Sequence, residues 1–202
     1  MLDQDNDGRR GATWAGGRVG RVGGRLARSC HVDADDLLSE ACLVFPALGM
    51  AKAMFEMFAI GTAKRGIAFT RYERQDEAGL THVQIATASA RIDAAEALLR
   101  RSVDSLETTA TGGAPMPLEQ RIRIWRDAGF ASQLIWEAAD LMAGASGGAI
   151  ANIGNPMSRL WRDVRVAGLH GAICTSTTME VFGRVLLGKT PNTPPGCLTD
   201  DK

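Results

Sequence analysis

The sequence is short of several things, and each shortage narrows what the chain can be. It has no net charge: 23 basic residues balance 23 acidic ones over 202 positions. That balance argues against a polyanion binder, whose footprint is a surplus of Lys and Arg. Aromatic residues make up 5%, with a single tyrosine, which suits close-packed helices better than β-sandwich strands. Cys30, Cys42, Cys174 and Cys197 lie far apart without a CxxC pair, and His31, His82 and His170 are equally dispersed. Such spacing holds no zinc framework. Alternation at the β period is missing as well. The acidic start, Met1 to Asp7, is followed by no apolar signal region. The most apolar stretch, Ala41 to Gly61, is interrupted by Pro46, Lys52 and Glu56, so a bilayer span is not expected from it. The expectation is a soluble, reduced, cytoplasmic protein.

Hydrophobic residues make up 45% of the chain, enough for one ordinary core. Residues 1–35 differ from the rest. Between Gly8 and His31 stand six arginines, seven glycines and no acids, with neither helical nor strand period and a high entropic cost of ordering. Two readings stand for this stretch: a phosphate-binding arm, and a disordered tail or a translated stretch of non-native coding sequence. No Tyr or Phe interleaves the arginines, which favours the tail.

From residue 36 the pattern is helical. Asp35 or Asp36 caps a first helix from Leu37 to about Lys64 that is apolar on nearly every face, as a helix at the centre of a bundle is. Pro46 predicts a kink in it. A polar connection spans Gly66 to Gly79. In a second helix, Thr81 to Thr109, Ile85, Ile92, Leu99 and Leu106 recur beside Ala88, Ala95 and Ser102 as a seam for close approach. A third, Leu118 to Ala145, carries Leu118, Ile122, Trp125, Gly129, Ser132, Trp136, Ala139 and Met142 as one stripe. Ser146-Gly147-Gly148 ends it with residues suited to a left-handed terminus. Asn155-Pro156 reads as an N-cap followed by proline at the first helical position. The fourth helix opens there with Leu160, Val164, Ala167, Gly171 and Cys174 as one stripe, weakens over Thr175 to Thr178, and closes with a segment from Met179 to Leu187. The expected fold is all-α: an antiparallel up-and-down four-helix bundle over residues 36–190, followed by a flexible tail over 191–202.

Pattern alone finds little chemistry. GGRVGRVGG is no dinucleotide fingerprint, because no strand precedes it. Lys52 and Glu56 read as a solvated pair at i,i+4. Asp163 and His170 lie seven apart on the expected fourth helix and so share a face. Taken alone, the histidine reads as structural or merely exposed, and the Ser-Gly-Gly loop as a helix terminator whose free amides could face an anion. Trp136 and Trp161 read as packing residues.

In combination the segments say more. LGMAKAMFEMF, HVQIATASARIDAAEALL, ASGGAI, NPMSRLWRDVRVAGLHGAI and GRVLLGK, in that order, resemble the C-terminal helical domain of the acyl-CoA dehydrogenase fold. More narrowly they resemble its branch of two-component, reduced-flavin-dependent monooxygenases acting on phenols and other aromatic compounds. Many acyl-CoA dehydrogenases carry a catalytic glutamate in a Tyr-Glu-Gly-Thr stretch shortly after an Arg-Asp pair. Aligned on Arg162-Asp163, His170 falls at that tyrosine and Gly171 at that glutamate, so the resemblance implies no carboxylate for α-proton abstraction. It implies instead that His170 faces flavin and substrate, its imidazole accepting a phenolic hydrogen bond or proton. It further implies that Ser146, Gly147, Gly148 and Ala149 reach the flavin of a neighbouring subunit, that Arg71 contacts a flavin phosphate, and that a separate reductase supplies reduced FMN or FAD. The same resemblance implies a dimer or tetramer and a small aromatic substrate; the charge balance and the interrupted apolar stretch already argue against nucleic acid and membrane as partners.

The resemblance spans residues 37–190. Family members carry a helical and a β domain ahead of the bundle, and neither fits in residues 1–36. The expectation is therefore an incomplete, truncated or frame-disrupted oxygenase, inactive without those domains. A non-catalytic helical association module is the alternative, and an acyl-CoA dehydrogenase remnant, disfavoured by Gly171, the third reading.

Overall fold

The computed structural model describes residues 34–193, with side chains from residue 42. The tails expected at 1–35 and 191–202 lie outside the described residues, except that 34–35 are already helical and 191–193 are irregular. Five α-helices are described rather than the four expected: α1 Ala34–Thr62, α2 Gly79–Gly112, α3 Leu118–Ala145, α4 Pro156–Ala167 and α5 Thr175–Leu186. Short 3₁₀ turns at Gln75–Glu77, Gly147–Ala151 and Gly171–Ile173 link them. All described regular structure is helical.

α3 is the spine. Salt bridges Arg101–Asp127 and Arg91–Glu137 join α2 to α3 with falling numbers against rising ones, so the two run antiparallel. The seam expected on α2 is what they share: Ala88, Ile92, Ala95, Leu99, Ser102 and Leu106 are buried. On α3, Ile124 packs on Leu106, and Asp127 and Glu137 bond Arg101 and Arg91, while Ile122, Gly129 and Ser132 face the segment from α4 to α5. The small residues thus serve the core of this chain, where backbones approach closely.

α1 contributes Val44, Ala47, Leu48, Ala51, Met54 and Phe58 to the same core. Cys42–Thr62 is long and apolar enough to cross a membrane by length and composition alone; here its inward row packs on α2, α3 and α4. Its outward row leaves Leu43, Phe45 and Ile60 exposed. The helix runs on through Pro46. Lys52 pairs with Glu96 on α2 at 2.7 Å, not with Glu56 on its own helix.

The correction to the expected bundle lies at its fourth position, which two helices fill in succession. α4 runs back along the C-terminal half of α3. Trp161 Nε1–H donates to Asp140 at 2.7 Å, and Arg165 lies 4.3 Å over the Trp136 ring. α5 takes the N-terminal half, where Val181 and Phe182 pack on Ile122. The stripe Leu160–Val164–Ala167 does not continue to Gly171 and Cys174, because α4 stops at Gly168. The physical reason is compositional. Two glycines in four residues lower helix propensity, and the hydroxyls that follow bond elsewhere, Thr175 Oγ1–H donating to the Gly129 carbonyl on α3 at 2.8 Å.

Candidate functional site

The break between α4 and α5 presents His170. The residue stands at the start of the Gly171–Ile173 turn with extended backbone (φ −64°, ψ 130°), and its side chain is exposed. The Ala172 N–H donates to His170 Nδ1 at 3.3 Å, and the Ile173 N–H donates to the His170 carbonyl at 3.1 Å. Trp125 on α3 secures the turn from below, its indole N–H donating to the Ala172 carbonyl. His170 and Asp163 therefore share no helix face; Asp163 pairs with Arg159 at 3.6 Å instead.

The second group of expected residues follows α3. Ser146 is buried and donates to the Met142 carbonyl at 2.8 Å. Gly147 takes the left-handed conformation at φ 67° that a β-carbon would strain. Gly147 and Gly148 both face open space, and with Ala149 they are exposed. Asn155 Oδ1 accepts from the Met157 N–H at 3.0 Å, capping α4 as expected, and its amide donates to the Ala149 carbonyl. The loop is thus tied at both ends with bare backbone between them.

Arg71 stands exposed on the α1–α2 connection. The arginine beside the Ser-Gly-Gly loop is Arg65, whose Nη2 lies 3.5 Å from Ser146 Oγ. Arg65 Nε–H donates to Gln75 Oε1, and the Gln75 amide donates to the Ala145 carbonyl at 3.0 Å. Arg65, Gln75 and Ser146 therefore form one polar cluster at the shared end of α1 and α3. Nothing in the spacing of Arg65 or Gln75 marks them in the sequence, since both sit between α1 and α2 among six other charged residues.

The two groups are far apart within one chain. His170 is anchored at the level of Trp125 to Ser132 on α3, and the loop begins at Ser146. At 1.5 Å of rise per residue the separation along α3 is roughly 20–30 Å. No single small ligand on one copy touches both.

A cysteine escaped the sequence reading. Cys174 Sγ lies 3.3 Å from Ser176 Oγ at the start of α5. The Ser176 hydroxyl, with backbone and side-chain donors of Thr177, lowers its pKa to about 7. No cluster of metal-ligating side chains occurs among the described residues.

Comparisons with known proteins bear on the family and the fold. The family model described as "Acyl-CoA dehydrogenase, C-terminal domain" matches residues 41–174. The chain is 25% identical over 158 residues to the FADH(2)-dependent resorcinol hydroxylase, oxygenase component, of Rhizobium sp. (strain MTP-10005), covering 75% of this chain and 39% of that protein. Among solved structures, XiaF from Streptomyces sp., in complex with FADH2 and glycerol, aligns at TM-score 0.74 and 28% identity over 77% of this chain and 39% of its own. The 3-HSA hydroxylase from Rhodococcus sp. RHA1 aligns at TM-score 0.70 and 26% identity over 79% and 41%. The chain thus spans about two fifths of the length of the relatives it matches. With the family match running from residue 41, within α1, to Cys174, the chain belongs to the acyl-CoA dehydrogenase C-terminal domain family.

Proposed function

We propose that this chain is the C-terminal α domain of an oxygenase component that hydroxylates a phenolic or other aromatic ring, using O2 and reduced FAD delivered by a separate reductase. The observation that carries the reading is His170: an exposed imidazole on a braced turn, followed by glycine where the dehydrogenase branch would hold a carboxylate. The relatives' names favour reduced FAD over FMN.

The residues at the end of α3 fit part of a flavin site. Bare backbone at Gly147 and Gly148 allows close approach, and the Arg65 guanidinium beside Ser146 offers charge-assisted donors to a phosphate. Arg71, further out on the same connection, is a second phosphate contact. When bound, reduced flavin supplies the electrons that activate oxygen. His170 meets the substrate oxygen and orients the ring.

Because His170 and the loop are separated along α3, each copy serves two sites, giving its loop to the flavin of one and its imidazole to the substrate of the other. That division requires a dimer or a larger assembly. It also requires the flavin-holding walls that the remaining three fifths of the relatives' length supplies.

The test is to graft residues 36–190 into a full-length relative in place of its own C-terminal domain and assay it with a reductase. The His170→Ala graft should keep its flavin affinity and lose about 10²–10⁴-fold in hydroxylation, with oxygen consumed without product. An unchanged hydroxylation rate refutes the assignment.

A further inference from the structure

We propose that His170 acts as a hydrogen-bond donor through Nε2–H, fixed in that tautomer by the chain's own backbone, with Trp125 as its positioning residue. The functional meaning of this rests on the reading above; the tautomer itself does not. It also replaces what the resemblance implied, since a nitrogen that has its proton accepts neither a phenolic hydrogen bond nor a phenolic proton.

The argument starts from which atom has the proton. A neutral imidazole has one N–H and one lone pair, and its neighbours decide which nitrogen has which. At His170 the neighbour of Nδ1 is the Ala172 backbone N–H, at 3.3 Å. A hydroxyl or water there would leave the choice open, because either can turn around. A peptide N–H cannot accept. Nδ1 therefore keeps its lone pair, and the proton sits on Nε2, the nitrogen directed away from the turn.

Four further bonds hold Ala172 where it must be. Its carbonyl accepts the Trp125 indole N–H from α3. The turn closes on itself through Ile173 N–H to the His170 carbonyl at 3.1 Å and Cys174 N–H to the Gly171 carbonyl at 3.4 Å. Thr175 Oγ1–H on the far side donates to the Gly129 carbonyl, again on α3. Ile173, between these anchors, is buried in the main core. Trp125 is itself packed on Leu106, Met116 and Ile124 on one side and Ile122 and Phe182 on the other. The indole thus carries the position of the spine to the Ala172 peptide, and the Ala172 N–H carries it to the ring.

The chemical consequence is directional. A group presenting Nε2–H donates to a substrate oxygen and stabilises negative charge there. It favours a ring oxygen that has already lost its proton to solvent, and it recognises a carbonyl equally well. A substrate whose oxygen is blocked as a bulky ether loses this contact.

Nitrogen NMR on the ¹⁵N-labelled full chain tests the inference without flavin. Long-range ¹H–¹⁵N correlation, at a pH where imidazoles are neutral, separates protonated from unprotonated ring nitrogens. The His170→Gln variant identifies its signals among the three histidines. The expected result is a single Nε2–H tautomer with an unprotonated Nδ1, and a Trp125→Phe variant that drifts to the mixture of a free side chain. An Nδ1–H form, or the free-peptide mixture in the wild-type chain, overturns the donor assignment. An unchanged His170 spectrum in Trp125→Phe overturns the positioning role. Slow exchange of the Ala172 amide, lost in His170→Gln, reads the same bond in a chain with every tryptophan intact. None of these outcomes depends on whether the grafted His170→Ala enzyme hydroxylates, so the two ideas fail separately.

Discussion

Replacing Gly129 with alanine tests how α5 is held, and the coordinates set the size of the effect. A β-carbon at Gly129 would stand 2.3 Å from Thr178 Oγ1 and 3.1 Å from both Thr178 Cβ and Cγ2. The threonine has no room to turn away: it is fully buried, and its hydroxyl donates to the Thr175 carbonyl at 3.2 Å. Two opposing terms decide the outcome. Alanine gains up to about 1 kcal/mol over glycine within a helix, while forcing a methyl into a filled site costs about 1–3 kcal/mol. Here the obstruction is a β-branched side chain on a docked helix, which places the cost at the upper end. The expected balance is a loss of about 1–2 kcal/mol, with α5 displaced from α3.

Urea unfolding followed by circular dichroism measures this from the midpoint, provided the slope holds. The decisive version is a double-mutant cycle with Thr178→Ala. That change alone removes a buried methyl and a satisfied hydroxyl, for about 1–2 kcal/mol. It also clears Oγ1 and Cγ2 from the space the new methyl needs. The Gly129→Ala/Thr178→Ala double variant should therefore be about 1 kcal/mol more stable than the sum of the singles requires. Simple additivity, or a Gly129→Ala protein more stable than the wild type, refutes the close-packing account.

Four other outcomes are expected. Asp127→Ala should destabilise the chain by about 1–3 kcal/mol in the same urea assay, because Asp127 is 1% exposed and its removal takes the carboxylate acceptor from the Arg126 guanidinium and from Arg101, bound at 2.7 Å. Cys174 should alkylate with iodoacetamide along a curve centred at about pH 7, rising toward higher pH as the thiolate forms; peptide mass spectrometry resolves it from the other cysteines, and a midpoint near 9 refutes the assigned hydrogen bonds. In the grafted enzyme Arg65→Ala should weaken reduced-FAD binding about 10-fold or more, in line with one lost charge-assisted bond, and more than Arg71→Ala does; the reverse order would return the main phosphate contact to Arg71. Sedimentation at micromolar concentration should give species heavier than 21.5 kDa, since Leu43, Phe45, Ile60, Leu186 and Leu187 leave apolar surface uncovered, and a purely monomeric profile would count against assembly.

Helix positions were legible because their signals are local and redundant. The start and end of α3 match the reading to the residue, since Pro117 opens it and Ser-Gly-Gly closes it. Asn155 capping followed by Pro156 placed α4 equally well. The four-helix count failed because a periodic stripe does not register a break. Leu160, Val164, Ala167, Gly171 and Cys174 keep helical spacing across Gly168, although Gly168 itself abuts Trp136 Cδ1 and could not bear a β-carbon there without displacement. Periodicity reports which face would be buried if a helix formed. Whether it forms depends on contacts, here the Trp125 and Thr175 bonds to and from α3, that have no signature in sequence.

The site divides along the same line. Glycine content marked Ser146 through Ala149 only as a helix end, and the resemblance alone drew attention to them and to His170 as site residues. Arg65 carried no such mark. It differs from Arg71 only in where the connection folds: the Gln75 N–H donates to the Arg65 carbonyl at 2.7 Å, which returns the chain to the end of α3 and leaves residues 68–74 outside. Six positions separate the two arginines, and one backbone bond decides which of them faces the loop. The same folding sets the larger constraint on function. With α3 continuous from Leu118 to Ala145, His170 is braced against its first half while Arg65 and Ser146 gather at its last turn. A rigid helix cannot bring its ends together, so the function proposed above calls for the loop of one copy to meet the imidazole of another. Activity of the grafted enzyme should therefore fall on dilution below its assembly constant, and recover on reconcentration, while an activity per chain that is independent of concentration down to a demonstrated monomer would mean that the two groups never served the same reaction.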